Sequence, residues 1–207
     1  MKKRFKSVPL GLLIVLAGCV PSLHPLYTEQ DLIFDPALVG EWSGKNSNDT
    51  WTFTKSGEKE YKLVYTDGEG KTGEFVVHLV KLEGRLFLDL YPQEPELKEN
   101  DFYKMHLLPV HTFMKVQQIE PTLQMAILNP DWIKTFLQEH PDAVRHEKLD
   151  QDYIVLTAST KELQSFLIKY GDTKDAFGDL SDLTRKAKEQ KGDTPASTSA
   201  GARHSDK

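Results

Sequence analysis

One cysteine, Cys19, stands among 207 residues. A lone thiol closes no internal disulfide, so an exported domain of this sequence must be stabilised by its packed core. No apolar stretch reaches the roughly 20 residues that a membrane-spanning helix needs, and none is expected. Positive charge is also short: 26 Lys and Arg face 31 Asp and Glu, for a net charge of −5 at pH 7. Nucleic-acid binding depends on Lys and Arg neutralising phosphates, and docking on anionic headgroups depends on basic clusters. The balance argues against both. The motifs of nucleophilic catalysis are missing: there is no Gly-x-Ser-x-Gly, no Ser-x-x-Lys with its supporting motifs, and no second cysteine to pair with a histidine. Asp67-Gly68-Glu69-Gly70-Lys71-Thr72-Gly73 lacks the phosphate-loop spacing and is acidic. Among the seven histidines no pair has zinc-ligand helical spacing with a third partner. Neither an enzyme nor a cofactor nor a metal site is expected.

What is there begins at the N-terminus. Lys2, Lys3, Arg4 and Lys6 make a positive start, Val8 to Leu16 is apolar apart from Pro9 and Gly11, and Ala17-Gly18 supplies small residues. This is the order of an export signal. Leu16-Ala17-Gly18-Cys19 resembles the lipobox of bacterial lipoproteins. The resemblance implies a diacylglycerol on the Cys19 sulfur, cleavage before Cys19, and acylation of the new amine. The other readings are an ordinary secretory signal or a buried free cysteine. Stable anchoring needs more than one acyl chain, which an acylated Cys19 would supply. Residue 20 is valine and not aspartate, which in the lipoprotein family favours the outer membrane, facing the periplasm. Taking the four cations of residues 1–18 from a chain at −5 leaves 189 residues at −9.

Residues 19–38 read as a tether and lead-in, with Pro21, Pro25 and Pro36 opposing regular structure and Leu23, Leu26, Tyr27, Leu32, Ile33 and Phe34 able to pack on the domain. From Val39 the apolar period is two. Trp51 and Phe53 alternate with threonines, Tyr61, Leu63 and Tyr65 with polar residues, and Leu86, Leu88 and Leu90 with Arg85, Phe87 and Asp89. Thr72 to Leu82 is apolar on both faces, and Met105 to Val116 and Thr122 to Leu128 complete seven strands joined by short turns. Asn129-Pro130-Asp131 starts a helix that Pro141 ends, Tyr153 to Ala158 reads as one more strand, and Ser159 with Glu162 boxes a second helix ending near Gly171. The expected organisation is a signal peptide over 1–18, the lead-in over 19–38, a domain over 39–178 with helices near 130–140 and 160–170, and a disordered tail over 179–207. The fold class is mainly β: an antiparallel meander of about eight strands forming a soluble barrel or strongly curved sheet, with two short helices. Trp42, Trp51, Phe53, Tyr61, Tyr65, Phe75, Phe87 and Phe113 are its expected filling, or the lining of a small cavity.

Gly40-Glu41-Trp42 resembles the Gly-x-Trp that opens the first strand of lipocalins, where the tryptophan plugs the closed end of an eight-stranded barrel. That implies a barrel-closing role for Trp42; the plainer alternative is a core tryptophan at a strand start. No counterpart is evident for the lipocalin arginine that stacks on the tryptophan. His24-Pro25-Leu26-Tyr27, Asp31-Leu32, Asp35-Pro36 and Gly40-Glu41-Trp42 together resemble the mature start of predicted lipoproteins of unknown function. The expected partners are a membrane, through lipidated Cys19, and either a small apolar ligand in the barrel or another envelope protein met by a fully packed module.

Overall fold

A computed structural model of the chain describes residues 19–94, 97–149 and 153–187. The expected signal peptide, residues 1–18, lies outside the described residues, as does the end of the expected tail from 188. Eleven strands are described: β1 Leu32–Ile33, β2 Gly40–Gly44, β3 Thr50–Lys55, β4 Tyr61–Thr66, β5 Thr72–Leu82, β6 Arg85–Pro92, β7 Thr112–Gln118, β8 Thr122–Ile127, β9 His146–Lys148, β10 Ile154–Leu156 and β11 Ser181–Arg185. Three helices accompany them, α1 Asp101–Lys104, α2 Pro130–Glu139 and α3 Thr160–Tyr170, with a 3-10 turn over Pro36–Leu38.

Strands β2 to β8 pair in meander order, β5 pairs with β6, and β11 lies antiparallel between β8 and β2. The result is a closed eight-stranded antiparallel barrel, the architecture the lipocalin resemblance implies. Closure removes the open edges that a meander of seven strands would leave. The hairpins are local in origin. Glu83 and Gly84 both hold positive φ (47° and 83°) between the paired Leu82 and Arg85, the two-residue turn that matches strand twist.

Alternation sorts the side chains into two cores. Leu63, Val77, Leu79, Leu88, Met114, Val116, Leu123, Met125 and Leu183 point into the barrel with Trp42 and Phe53. Val80, Leu82, Phe87, Phe113 and Leu128 point outward, where α2, α3 and the lead-in cover them with Val20, Leu26, Ile133, Leu137, Leu163 and Phe166. The double-sided apolar character of β5 follows: one face lines the barrel and the other lies under the lead-in and helix layer. Phe87 and Phe113, expected inside the barrel, belong to this outer core because each takes the outward parity of its strand.

Both long helices start as their sequences dictate. The Asn129 side chain accepts from Asp131 N (3.0 Å) and Trp132 N (3.3 Å) ahead of Pro130. The Glu162 carboxylate accepts from Ser159 N at 2.8 Å. Other expectations need correction. The eighth barrel strand is β11 and not the 153–158 segment, which contributes β10 to a separate hairpin with β9. Both long helices thus precede the last strand and cover the barrel's side. Within the tail expected from 179, Ser181–Arg185 is instead a barrel strand. The strand expected from Met105 starts at Thr112, after α1 and an irregular stretch containing Pro109. The lead-in packs over almost its whole length, with β1 on β5 and Val20, Leu26, Leu32 and Leu38 buried.

Candidate functional site

The closed end is built around Trp42, which is fully buried at the start of β2. Its Nε1 donates to Leu38 O at 2.9 Å, fastening it to the 3-10 turn, and Asp35 Oδ1 caps that turn by accepting from Ala37 N at 2.9 Å. Arg185, opposite Trp42 in the β2–β11 register, lays its guanidinium 4.2 Å from the centre of a Trp42 ring. The same group donates to the carbonyls of Ala37 and Val39 and meets Glu120 at 3.1 Å. Gly40 holds φ +149°, and a Cβ there would run into Arg185 Nη1. The backbone conformation favours glycine at this position, and its lack of a side chain leaves room for the arginine's approach. Trp42 is thus buried at this end of the barrel against an arginine that the sequence did not mark. β11 has only Leu183 buried among polar neighbours, so no apolar alternation marks it.

Above the plug the interior is filled. Phe53, Tyr61, Leu63, Val77, Leu79, Leu88 and Leu123 have no accessible surface. Tyr61 OH donates to Asp35 O (3.0 Å) and accepts from Asp35 N (2.6 Å), and burial pushes its pKa up to about 12. Toward the opposite, open end the lining loosens. Trp51, Tyr65 and Phe75 are half-buried, with the Trp51 and Tyr65 rings 4.8 Å apart. Burial and the charges of Asp49 and Asp67 raise the Tyr65 phenol.

The outer face of β6 carries Asp89, buried at 1 % exposure. Its Oδ2 accepts from Leu26 N and its Oδ1 meets His111 Nδ1, both at 2.7 Å. His111 packs against the Tyr91 ring and exchanges two backbone hydrogen bonds of 2.9 Å with Ser22. Ser22 Oγ donates to His24 O (2.8 Å), so it is engaged along its own chain. His78 is across from Asp89 in the β5–β6 register, packs tilted against Tyr27 with ring centres 4.3 Å apart and lies 3.8 Å from Glu60. This cluster clasps the lead-in to the barrel. A lone aspartate in the leucine-rich run Leu86–Leu90 was its legible signal, because a buried carboxylate must find donors. Glu74, on the same strand face as His78, points outward and pairs with Lys62 at 2.7 Å.

Cys19 is half-buried, and burial raises its thiol pKa. The chain is locked immediately after it. Val20 joins the outer core, Leu156 N donates to Pro21 O (2.8 Å), and Leu23 N donates to Leu156 O (2.9 Å). The expected lipid-attachment residue therefore sits on the domain surface and not at the far end of a loose tether.

Two hollows on the surface of the described residues are large enough to hold a small molecule. One, of about 690 Å³, runs between the end of α2 and α3 past His140, Arg145, Lys161, Phe166 and Tyr170. The other, of about 520 Å³, lies under the loop after β6, between Tyr91, Leu97, Lys104, Leu107 and Leu108. Comparison of the chain with protein-family models, curated proteins and solved structures finds no match.

Proposed function

We propose that this chain is a lipid-anchored protein of the bacterial cell envelope, held at Cys19 in the outer membrane facing the periplasm, whose barrel is a packed interaction module. One observation carries the choice of module over carrier: the barrel is filled with inaccessible side chains from Trp42 to Leu88. A carrier of the lipocalin kind keeps a cavity there. The anchoring half of the reading rests on Leu16-Ala17-Gly18-Cys19 after a positive and apolar leader.

A second reading keeps a small apolar ligand at the open end, against the half-buried Trp51, Tyr65 and Phe75. Organic extraction of protein purified from membranes, followed by mass spectrometry, separates the two. The packed-module reading expects no stoichiometric non-covalent lipid and no saturable quenching of tryptophan fluorescence by added fatty acid. Stoichiometric recovery of one lipid species would reverse the choice. The anchor is tested by radiolabelled palmitate, which should enter the wild type and be lost in Cys19→Ala. Normal size and membrane fractionation of that variant would refute anchoring.

A further inference from the structure

The hollow beside α3 lies outside the barrel. One wall is the end of α2 with the segment after it, residues 139–145, and the other is the face of α3 that carries Lys161, Phe166 and Tyr170. The walls are joined at both ends. At one, Arg145 Nη2 and Glu162 Oε2 are 2.6 Å apart. At the other, Phe136 packs against His140 and Tyr170, with ring centres 4.7 and 4.8 Å away. The floor between them is apolar, since Val144 and Phe166 are buried. From Lys161 to Tyr170 the helix rises roughly 13 Å.

Arg145, Lys161 and Lys169 line this hollow together with Glu139, Asp142 and Glu162. Opposite charges are balanced in number, yet only Arg145 and Glu162 pair across it. Glu162 is committed to Arg145 and to Ser159 N. Lys169 Nζ is engaged 4.9 Å from the centre of the Tyr170 ring. Lys161, Glu139 and Asp142 are exposed and have no ion-pair partner among the described residues. These free charges are sorted by position. Lys161 precedes Glu162 at the Arg145 end. Glu139 and Asp142 flank His140 in the turn toward the Tyr170 end, where Ala143 N donates to His140 O at 3.0 Å.

We propose that this hollow binds a short extended peptide with both ends free. Its carboxylate lies at Arg145 and Lys161, its ammonium at Glu139 and Asp142, and its apolar side chains on the floor between. An extended chain advances about 3.3 Å per residue, so three or four residues match the length of the hollow. A volume of about 690 Å³ suits a ligand of that size. A simple anion or cation would bring like charges together at one end, which counts against such partners, whereas a zwitterion matches both. The inference goes beyond the packed-module reading and stands whether or not Cys19 is acylated.

Calorimetric titration of the full chain with the tetrapeptide Ala-Leu-Leu-Ala should saturate with a Kd of roughly 1 mM or tighter. Acetylating the peptide's amine or amidating its carboxylate should each weaken binding about tenfold, the loss of one charged hydrogen bond. The variants alter exposed residues, so the fold should hold. Lys161→Ala should lose most of the amidation penalty and keep the acetylation penalty. Glu139→Gln/Asp142→Asn should do the reverse. Lys59→Ala, in the β3–β4 turn, should keep both. Absence of saturation up to about 10 mM, or equal affinity for the free and blocked peptides, overturns the site. Penalties that persist unchanged in the variants place the peptide elsewhere and overturn it as well.

Discussion

Arg185 and Trp42 meet at one end of the barrel: the guanidinium on β11 lies 4.2 Å from the centre of a Trp42 ring on β2. The two residues are 143 positions apart in sequence and directly opposite in register. Because Arg185 also donates to Ala37 and Val39 carbonyls, it binds β11, β2 and the 3-10 turn together.

Arg185→Ala should therefore destabilise the domain by about 2 kcal/mol. A cation–π contact contributes roughly 0.5–2 kcal/mol and a charged hydrogen bond about 1.5–3, discounted because a third of the side chain is exposed. Thr184→Ala, an exposed neighbour, should change stability by less than about 0.5 kcal/mol. Urea midpoints measure both. Equal effects would show that the ladder and not the guanidinium closes the end.

Chain length gives a sharper test of β11. A chain ending after Ala187 retains Arg185 and the Lys186 N to Glu41 O bond of 2.8 Å, and should melt like the full chain. A chain ending after Leu180 leaves the edges of β2 and β8 unpaired. It should lose cooperative melting or associate through those edges. Identical melting curves would contradict the closed barrel.

The helix layer separates two aromatic residues that look alike in sequence. Phe166 is 2 % exposed and central to the outer core, whereas Trp132 is half-buried and stacked on Phe136 at 4.7 Å. Phe166→Ala should cost about 3–5 kcal/mol. Trp132→Ala should cost only about 1–2 kcal/mol, since it lies at the edge of the outer core and keeps part of its surface in solvent in the folded state. Chemical denaturation of the two variants reads the difference.

Stability should also respond to pH through His78. Burial holds its imidazole below the ordinary 6.5, and the His111 charge acts in the same direction, while Glu60, Asp89 and Glu29 oppose. A depressed folded-state pKa means that the unfolded chain takes up the proton first. The contribution is fully present above about pH 6.5 and is lost as pH falls through the folded pKa. Melting temperature should decline from pH 7 toward 5, and His78→Phe should flatten that decline. An unchanged slope in the variant would assign the pH dependence elsewhere.

The seven-strand meander was legible because each strand has one inward face, so period-two patterning records it directly. The starts of α2 and α3 were legible because caps act within four residues of sequence, as Asn129 and the Ser159–Glu162 pair do. Trp42 was legible through its glycine and its place at the first strand. The reading of residues 1–19 as a leader and anchor rests on sequence alone.

Tertiary structure decided what depends on distant partners. β11 carries one buried residue, so its strand character comes from two neighbours already in place. Phe87 and Phe113 could fill either face of a doubly apolar strand; helices packed on the outside made theirs a second core. Asp89 gained its meaning from Leu26 N, 63 residues earlier. The lead-in could have been a free tether by composition. Its hydrogen bonds to His111 and Leu156 fix Cys19 on the domain instead, because unpaired backbone groups find partners wherever a neighbouring edge offers them.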